Sequence, residues 1–302
     1  MRRTFIVGCP RSGTTMVRAA LAHHPALLTP PETSLLEHLH GDAAHRWGDL
    51  DAGRERRPWR QHLGFTRKQH RESLDMLQAW LPTLPSASLR PSLRMTTFKR
   101  QFIELLDAMA VHRNRSMWLE SSPGHLLYLR EIDRLAPDAR YVHVIRRGTD
   151  VLASLLDACL LLEDRHGLGG GVMRWARRWT RAMQIHQAHA SHAQHHMLFI
   201  DDLFVQPQAE WQRLCAFLDI DAQPLLDRMG DDAALPSIDA HESWMLGFRH
   251  LPRHRIEALL SPAMQRWLHA ALGAYDALRD DLYQRRGMSA PSRPEALTAM
   301  AD

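Results

Sequence analysis

Hydrophobic and polar positions along the chain alternate between short apolar runs and longer stretches with helical spacing. The run TFIVG, residues 4–8, is β-rich and ends in glycine, and GTTMVRAALAHH carries apolar spacing at Met16, Ala19, Ala20 and His23. This predicts a strand, a glycine loop and a helix. A second run, ALLT, leads into PPETSLLEHL, where Pro30 and Pro31 halt the chain and Thr33 or Ser34 can cap a helix. Over about 40–115 no strand pattern appears, and helical patterns cover 72–81 and 97–111. That segment reads as a helical insertion, either a substrate lid or a structural layer.

The alternation then resumes. SMWLES is strand-like, and SPGHLLYLREIDRLAP is helical with Ser122 as its expected cap. ARYVHVIRR is a strand, GTDVLASLLDACLLL a helix, GLGGGV a flexible loop, and MRWARRWTRAMQIHQAHASH a long helix. HMLFIDD is a strand, followed by the proline-started helix PQAEWQRLCAFLDI. Strands alternating with helices imply an α/β fold of three layers with a central parallel sheet. Residues 1–287 read as one domain, and 288–302 as a disordered tail, being small, polar and proline-containing.

Composition narrows the partners. The 302 residues are 45% hydrophobic and 24% charged with a net charge of +4, ordinary for a globular protein and compatible with an anionic ligand. That charge does not demand nucleic acid. The lysines are Lys68 and Lys99; all other basic side chains except histidine are arginines, which suit bidentate phosphate or sulfate binding. Cys9, Cys159 and Cys215 have no metal-like spacing, and the apolar run after Arg2 and Arg3 is too short for an export signal or an anchor. A cytoplasmic protein without membrane contact is expected.

The chemistry concentrates in two places. Gly8, Gly13 and Thr15 match the glycine and hydroxyl positions of a phosphate-binding loop, but Thr14 replaces its lysine, and Arg11 lies inside the loop. Main-chain N–H groups from Ser12 to Thr15 would face an anion at the helix start, with Arg11 as the cation; a tight turn without a ligand is the alternative. In YVHVIRRGTDVLASLL, Arg146 ends a strand and Ser154 lies in the next helix. They could share a phosphate at the sheet's carboxyl edge, or be a surface charge and a packing residue.

Together CPRSGTT and VIRRGTDVLASL resemble the 5′-phosphosulfate loop and the 3′-phosphate segment of sulfotransferases that use 3′-phosphoadenosine 5′-phosphosulfate (PAPS) and release PAP. The branch is that of protein-tyrosine, carbohydrate and bacterial small-molecule enzymes. Looser likenesses extend over most of residues 1–220. The resemblance implies a three-layer P-loop-like fold, PAPS as donor, and PAP held by Arg11, Ser12, Gly13, Thr14, Thr15, Arg146 and Ser154. It also implies no metal, a small hydroxylated acceptor, and Glu32 in TPPETSLL as general base; a helix-terminal charge is the alternative for Glu32. The sequence departs from the pattern at Ser121, where relatives often carry lysine, and at Ile200, where a tyrosine often lies near the adenine. A nucleotide kinase and a non-catalytic nucleotide-binding module are the competing readings, and self-association stays open.

Three further features carry expectations. His125 reads as a capping or packing residue that could reach the site. His186, His189, His192, His195 and His196 read as a solvated helix face rather than a zinc site. Trp175 and Trp179 read as core.

Overall fold

A computed structural model describes residues 1–49, 63–65, 75, 77, 79, 92–162, 171–230 and 260–291. The chain opens with β1 (Arg2–Gly8), α1 (Thr14–Leu21), β2 (Leu27–Leu28), α2 (Leu35–His40) and α3 (Ala43–Trp47). There follow α4 (Met95–His112), β3 (Met117–Ser121), a 3-10 helix (Pro123–Tyr128), α5 (Leu129–Leu135), β4 (Arg140–Ile145) and α6 (Gly148–Leu162). The last described elements are α7 (Gly171–His189), β5 (His195–Phe199), α8 (Ile200–Val205), α9 (Pro207–Leu218), α10 (Gln223–Gly230), α11 (Pro262–Ala271) and α12 (Ala274–Arg285).

The five strands form one parallel sheet in the order β2-β3-β1-β4-β5. Side chains alternate across each strand, so parity assigns them to two cores. Phe5 and Val7 of β1, Trp118 of β3, Tyr141 and Ile145 of β4 and Met197 and Phe199 of β5 face α2–α7, α11 and α12. Ile6, Met117, Leu119, Val142, Val144 and Leu198 face α1, α8, α9 and α10 on the other side. Both faces are covered, which is why these strands read as continuous apolar runs rather than alternating ones. The expected three layers and parallel sheet are found.

Local signals set the boundaries. Proline opens α9 and α11, where a missing N–H costs no intrahelical bond. In α1 the buried apolar positions are Val17, Ala19 and Leu21, so the core stripe is rotated from the expected Met16 and Ala20. The helix expected over 97–111 is α4. Of the pattern over 72–81 only Asp75, Leu77 and Ala79 are described, all helical. Most of GLGGGV and of the tail lies outside the described residues.

Two elements differ from expectation. The segment after β3 begins as a 3-10 helix and becomes α-helical only at Leu129, and Ser122 makes no side-chain cap. Ile200 and Asp201, expected at the end of a strand, open α8. Its acidic side chains join other elements: Asp201 accepts from Arg147, and Asp202 from Arg279 and Tyr283 of α12.

Candidate functional site

Sheet order makes the site. The chain leaves β1 toward β2 and β3, and leaves β4 toward β5, so a crevice opens between the carboxyl ends of β1 and β4. β1 must approach β4 closely there. A Cβ on Gly8 would stand 2.6 Å from the Val144 carbonyl oxygen, which only glycine avoids.

After Gly8 the backbone turns through two left-handed residues, Arg11 at φ 73° and Gly13 at φ 96°. For arginine this conformation costs about 1–2 kcal/mol, and the Ser12 N–H bond to the Cys9 carbonyl, 3.1 Å, helps hold it. That bond occupies one of the amides expected to face an anion, so the donor row begins at Gly13. α1 starts at Thr14, and its first-turn amides have no carbonyl four residues back. Ser12 and Thr14 are buried and Thr15 is partly exposed. Ile200 lies against Gly13, with Cδ1 3.1 Å from where a Cβ would stand, so an aliphatic side chain packs on the loop.

Arg11, Arg146 and Ser154 come together on this loop. Arg11 Nε donates to Ser154 Oγ at 3.0 Å, and Arg146 Nη1 donates to the Arg11 carbonyl at 3.2 Å. Trp179 Nε1 donates to the Arg146 carbonyl at 3.0 Å, so a core tryptophan also fixes the end of β4. Arg147 does other work. Its guanidinium donates to Asp201 and, with two bonds, to Asp276, and lies 4.8 Å over the Tyr275 ring. Two cations, a hydroxyl and a helix N-terminus thus converge on one crevice, a donor set suited to phosphate or sulfate oxygens.

Glu32 sits on the turn between β2 and α2, whose next residues, Thr33 and Ser34, bond Glu120 and Ser122 at the carboxyl end of β3, the strand beside β1. Glu32 Oε1 accepts from Ser34 Oγ at 3.2 Å. Of the two expected caps of α2 it is Thr33 that acts: its Oγ1 accepts from the Leu35 N–H at 3.4 Å, whereas Ser34 is left-handed at φ 44° and its side chain makes no cap. Ser121 is buried at the end of β3, beside Ile6 of β1.

A buried polar group that the sequence reading missed lies under this turn. Glu120, fully buried, accepts from Thr33 Oγ1 at 2.7 Å and from Ser122 Oγ through Oε1. Its Oε2 lies 2.9 Å from His125 Nδ1, a close contact bent away from hydrogen-bond geometry. Burial alone would raise the Glu120 pKa; His125 and the hydroxyl donors outweigh it and hold the carboxyl below its usual value. Burial opposes charge on His125, but Glu120 prevails and raises its pKa. Protonating Nε2 would break its bond from the Leu36 N–H, 3.2 Å, so His125 caps α2 from outside rather than reaching the crevice. The sequence did hold a signal for this group, an acid interrupting the apolar strand MWLES.

The histidine expectation needs correction. His186 is buried, its Nδ1 2.8 Å from His143 Nδ1 on β4, and His143 Nε2 lies 2.8 Å from His195 Nδ1. His196 is buried against Phe217. Only His192 of the five is exposed: His143 of β4 meets His186 of α7 and His195 on one face of the sheet, and His196 packs against Phe217 on the other. Trp175 and Trp179 are core residues, as expected. Among the described residues no group of three or more His, Cys, Asp or Glu could hold a metal, and no helix is long and apolar enough to cross a membrane.

Comparison with known proteins bears on the whole arrangement. A family model described as the sulfotransferase family matches residues 4–224, which include both loops, β2 to β5 and all of β1 but its first two residues. Among solved structures, the chain is similar in fold to a sulfotransferase domain from the curacin biosynthetic pathway, at 22% identity and a TM-score of 0.51, over 79% of this chain and 80% of that one. A sulfotransferase from Alicyclobacillus acidocaldarius aligns at 15% identity and TM-score 0.48, over 100% and 99% of the two chains. Mouse sulfotransferase SULT7A1, solved with PAP, aligns at 10% identity and TM-score 0.46, over 99% and 88%. No curated protein sequence matches the chain significantly. With 221 of 302 residues under the family model and a parallel sheet whose crevice is lined by the two matching loops, the chain belongs to the sulfotransferase family.

Proposed function

We propose that the protein moves the sulfuryl group of PAPS to a hydroxyl, or less readily an amine, of a small-molecule acceptor, with Glu32 as general base. The observation that carries this reading is the meeting of Arg11, Ser154 and Arg146 at the β1–β4 crevice of a sulfotransferase-family chain. When bound, PAPS supplies an activated sulfuryl group whose bond to the 5′-phosphate oxygen breaks as an acceptor oxygen bonds to sulfur. The amides from Gly13 to Thr15 and the helix start would hold the 5′-phosphate side, and Arg11 would stabilise charge on the departing oxygen. Arg146 and Ser154 would hold the 3′-phosphate. Glu32 would take the acceptor's proton, a role that needs no metal.

Thr14 in place of the loop lysine weighs against a nucleotide kinase, which uses that lysine on its β- and γ-phosphates. The deciding experiment is a screen of phenols, alcohols and amines with labelled PAPS in the presence of EDTA. Label transferred to a small acceptor is the expected result. PAP binding without transfer to any acceptor would point instead to a non-catalytic nucleotide-binding module.

A further inference from the structure

We infer that Glu120 is a positioning residue for sulfuryl transfer, holding from beneath the turn that presents Glu32; this rests on the reading of Glu32 as the base. Pro30 and Pro31 enter the turn without amide hydrogens, and at the start of α2 the Leu35 N–H reaches Thr33 Oγ1 at 3.4 Å while the Ser34 side chain makes no cap. Three further amides of the turn and of α2 are taken by side chains of β3 and the segment that follows. The Thr33 N–H reaches Glu120 Oε1 at 3.4 Å, the Ser34 N–H reaches Ser122 Oγ at 2.8 Å, and the Leu36 N–H reaches His125 Nε2 at 3.2 Å.

All of these paths converge on one carboxylate. Ser122 Oγ and Thr33 Oγ1 donate to Glu120 Oε1, and His125 lies against Oε2. A buried carboxylate is costly unless donors surround it. Here two donors are the Thr33 hydroxyl and amide, and the other two groups, Ser122 and His125, bind the Ser34 amide of the turn and the Leu36 amide in the first turn of α2. Ser34, locked by its amide to Ser122, then donates its hydroxyl to Glu32 Oε1 at 3.2 Å. The chain Glu120–Ser122–Ser34–Glu32 therefore fixes where the proposed base points, although Glu120 itself touches no reacting atom.

The test is a double-mutant cycle with an independent readout of the turn. Turnover is measured as PAP formed from PAPS, with 4-nitrophenol as the hydroxyl probe, in the parent, E32Q, E120Q and E32Q/E120Q proteins. Hydrogen exchange of the Thr33, Ser34 and Leu36 amides reads the turn without any acceptor. Glu120→Gln should lower turnover at least tenfold in the parent and less than twofold in the Glu32→Gln background, leave the KM for PAPS unchanged, and speed exchange of the three amides while those of β1 and β4 stay protected. Equal losses in both backgrounds, or unchanged exchange, would overturn the inference. Ser122→Ala, which deletes one link and no charge, runs through the same cycle if Glu120→Gln does not fold. Parental turnover by Glu32→Gln alone would remove the base reading, and the exchange result would still decide whether Glu120 holds the turn.

Discussion

The guanidinium of Arg146 donates through Nη1 to the carbonyl oxygen of Arg11, 3.2 Å away, so the end of β4 and the loop after β1 behave as one unit. The neighbouring Arg147 turns away to Asp201 and Asp276. The two adjacent arginines should therefore separate by phenotype. Arg146→Ala is expected to weaken PAP binding by about 1.5–3 kcal/mol, the weight of a charge-assisted bond, with a much smaller loss for 5′-AMP, which lacks the 3′-phosphate. Arg147→Ala should lower the melting temperature by a few degrees while PAP affinity changes little. Calorimetric titration and thermal melts of both variants check this; equal losses for PAP and 5′-AMP in Arg146→Ala would mean that Arg146 has another job.

Glu32→Gln keeps the shape of the side chain and removes the carboxylate. Turnover is expected to fall by about 10²–10⁴, the usual weight of general-base catalysis, with donor affinity and melting temperature nearly unchanged. A variant that keeps more than about a tenth of parental turnover, far short of that hundredfold minimum, removes Glu32 as base.

The buried histidines predict an acid-sensitive fold. Burial pushes His186, His195 and His196 down to about 3 from an ordinary value of 6.5, and lowers His143 well below that ordinary value. The unfolded chain therefore takes up more protons than the folded one as pH falls below 6.5. Stability from these rings is complete above about 6.5 and is lost progressively toward 3, at about 1.4 kcal/mol per pH unit for each fully buried ring that stays neutral. Melting temperature should already drop between pH 6.5 and 5.5, above the range where carboxylates titrate. His196 stacks on Phe217, and its Nε2 has no hydrogen-bond partner among the described residues. His196→Phe should therefore stabilise more at pH 5.5 than at 7.5, and an equal effect at both would count against the proton explanation.

Gly8→Ala places a methyl 2.6 Å from a backbone oxygen of the central sheet, which cannot step aside as a flexible side chain would. A loss of about 1–3 kcal/mol is expected from overpacking, read by denaturant unfolding. PAP affinity should fall with it, because β4 can move away from β1 only by taking Arg146 along.

The sequence made the sheet legible because parallel strands buried on both faces leave short apolar runs bounded by glycine and charge, and TFIVG and YVHVI are such runs. The phosphate-type loop was legible for the same local reason: its glycines, hydroxyls and arginine are consecutive. What could not be read depends on partners far apart in the chain. Glu120 meets Thr33 across 87 positions and His143 meets His186 across 43, so neither local period nor spacing reveals them. The long helix with histidines at 186, 189 and 192 looked solvated because its polar stripe was read without knowing that β4 presents His143 to it. The turn between β2 and α2 was legible, with Thr33 as acceptor of the Leu35 amide, but the second acceptor, His125 on the Leu36 amide, comes from the segment after β3 and lies 89 positions away.

The strand order has a consequence for how the molecule is made. β1 pairs with β3 and β4, whose residues lie more than a hundred positions later. At a synthesis rate of about 5–20 residues per second, β1 waits on the order of ten seconds for its second neighbour. During that time a strand as apolar as Phe5–Ile6–Val7 has two unsatisfied edges, and closing loops of this length is entropically unfavourable and slow. The segment that would grip the nucleotide is therefore made well before both of its neighbouring strands and is among the last to reach its final surroundings. Nascent chains halted before β4 should depend on holding chaperones, and a ligand of the crevice should accelerate none of the steps that precede the arrival of Arg146.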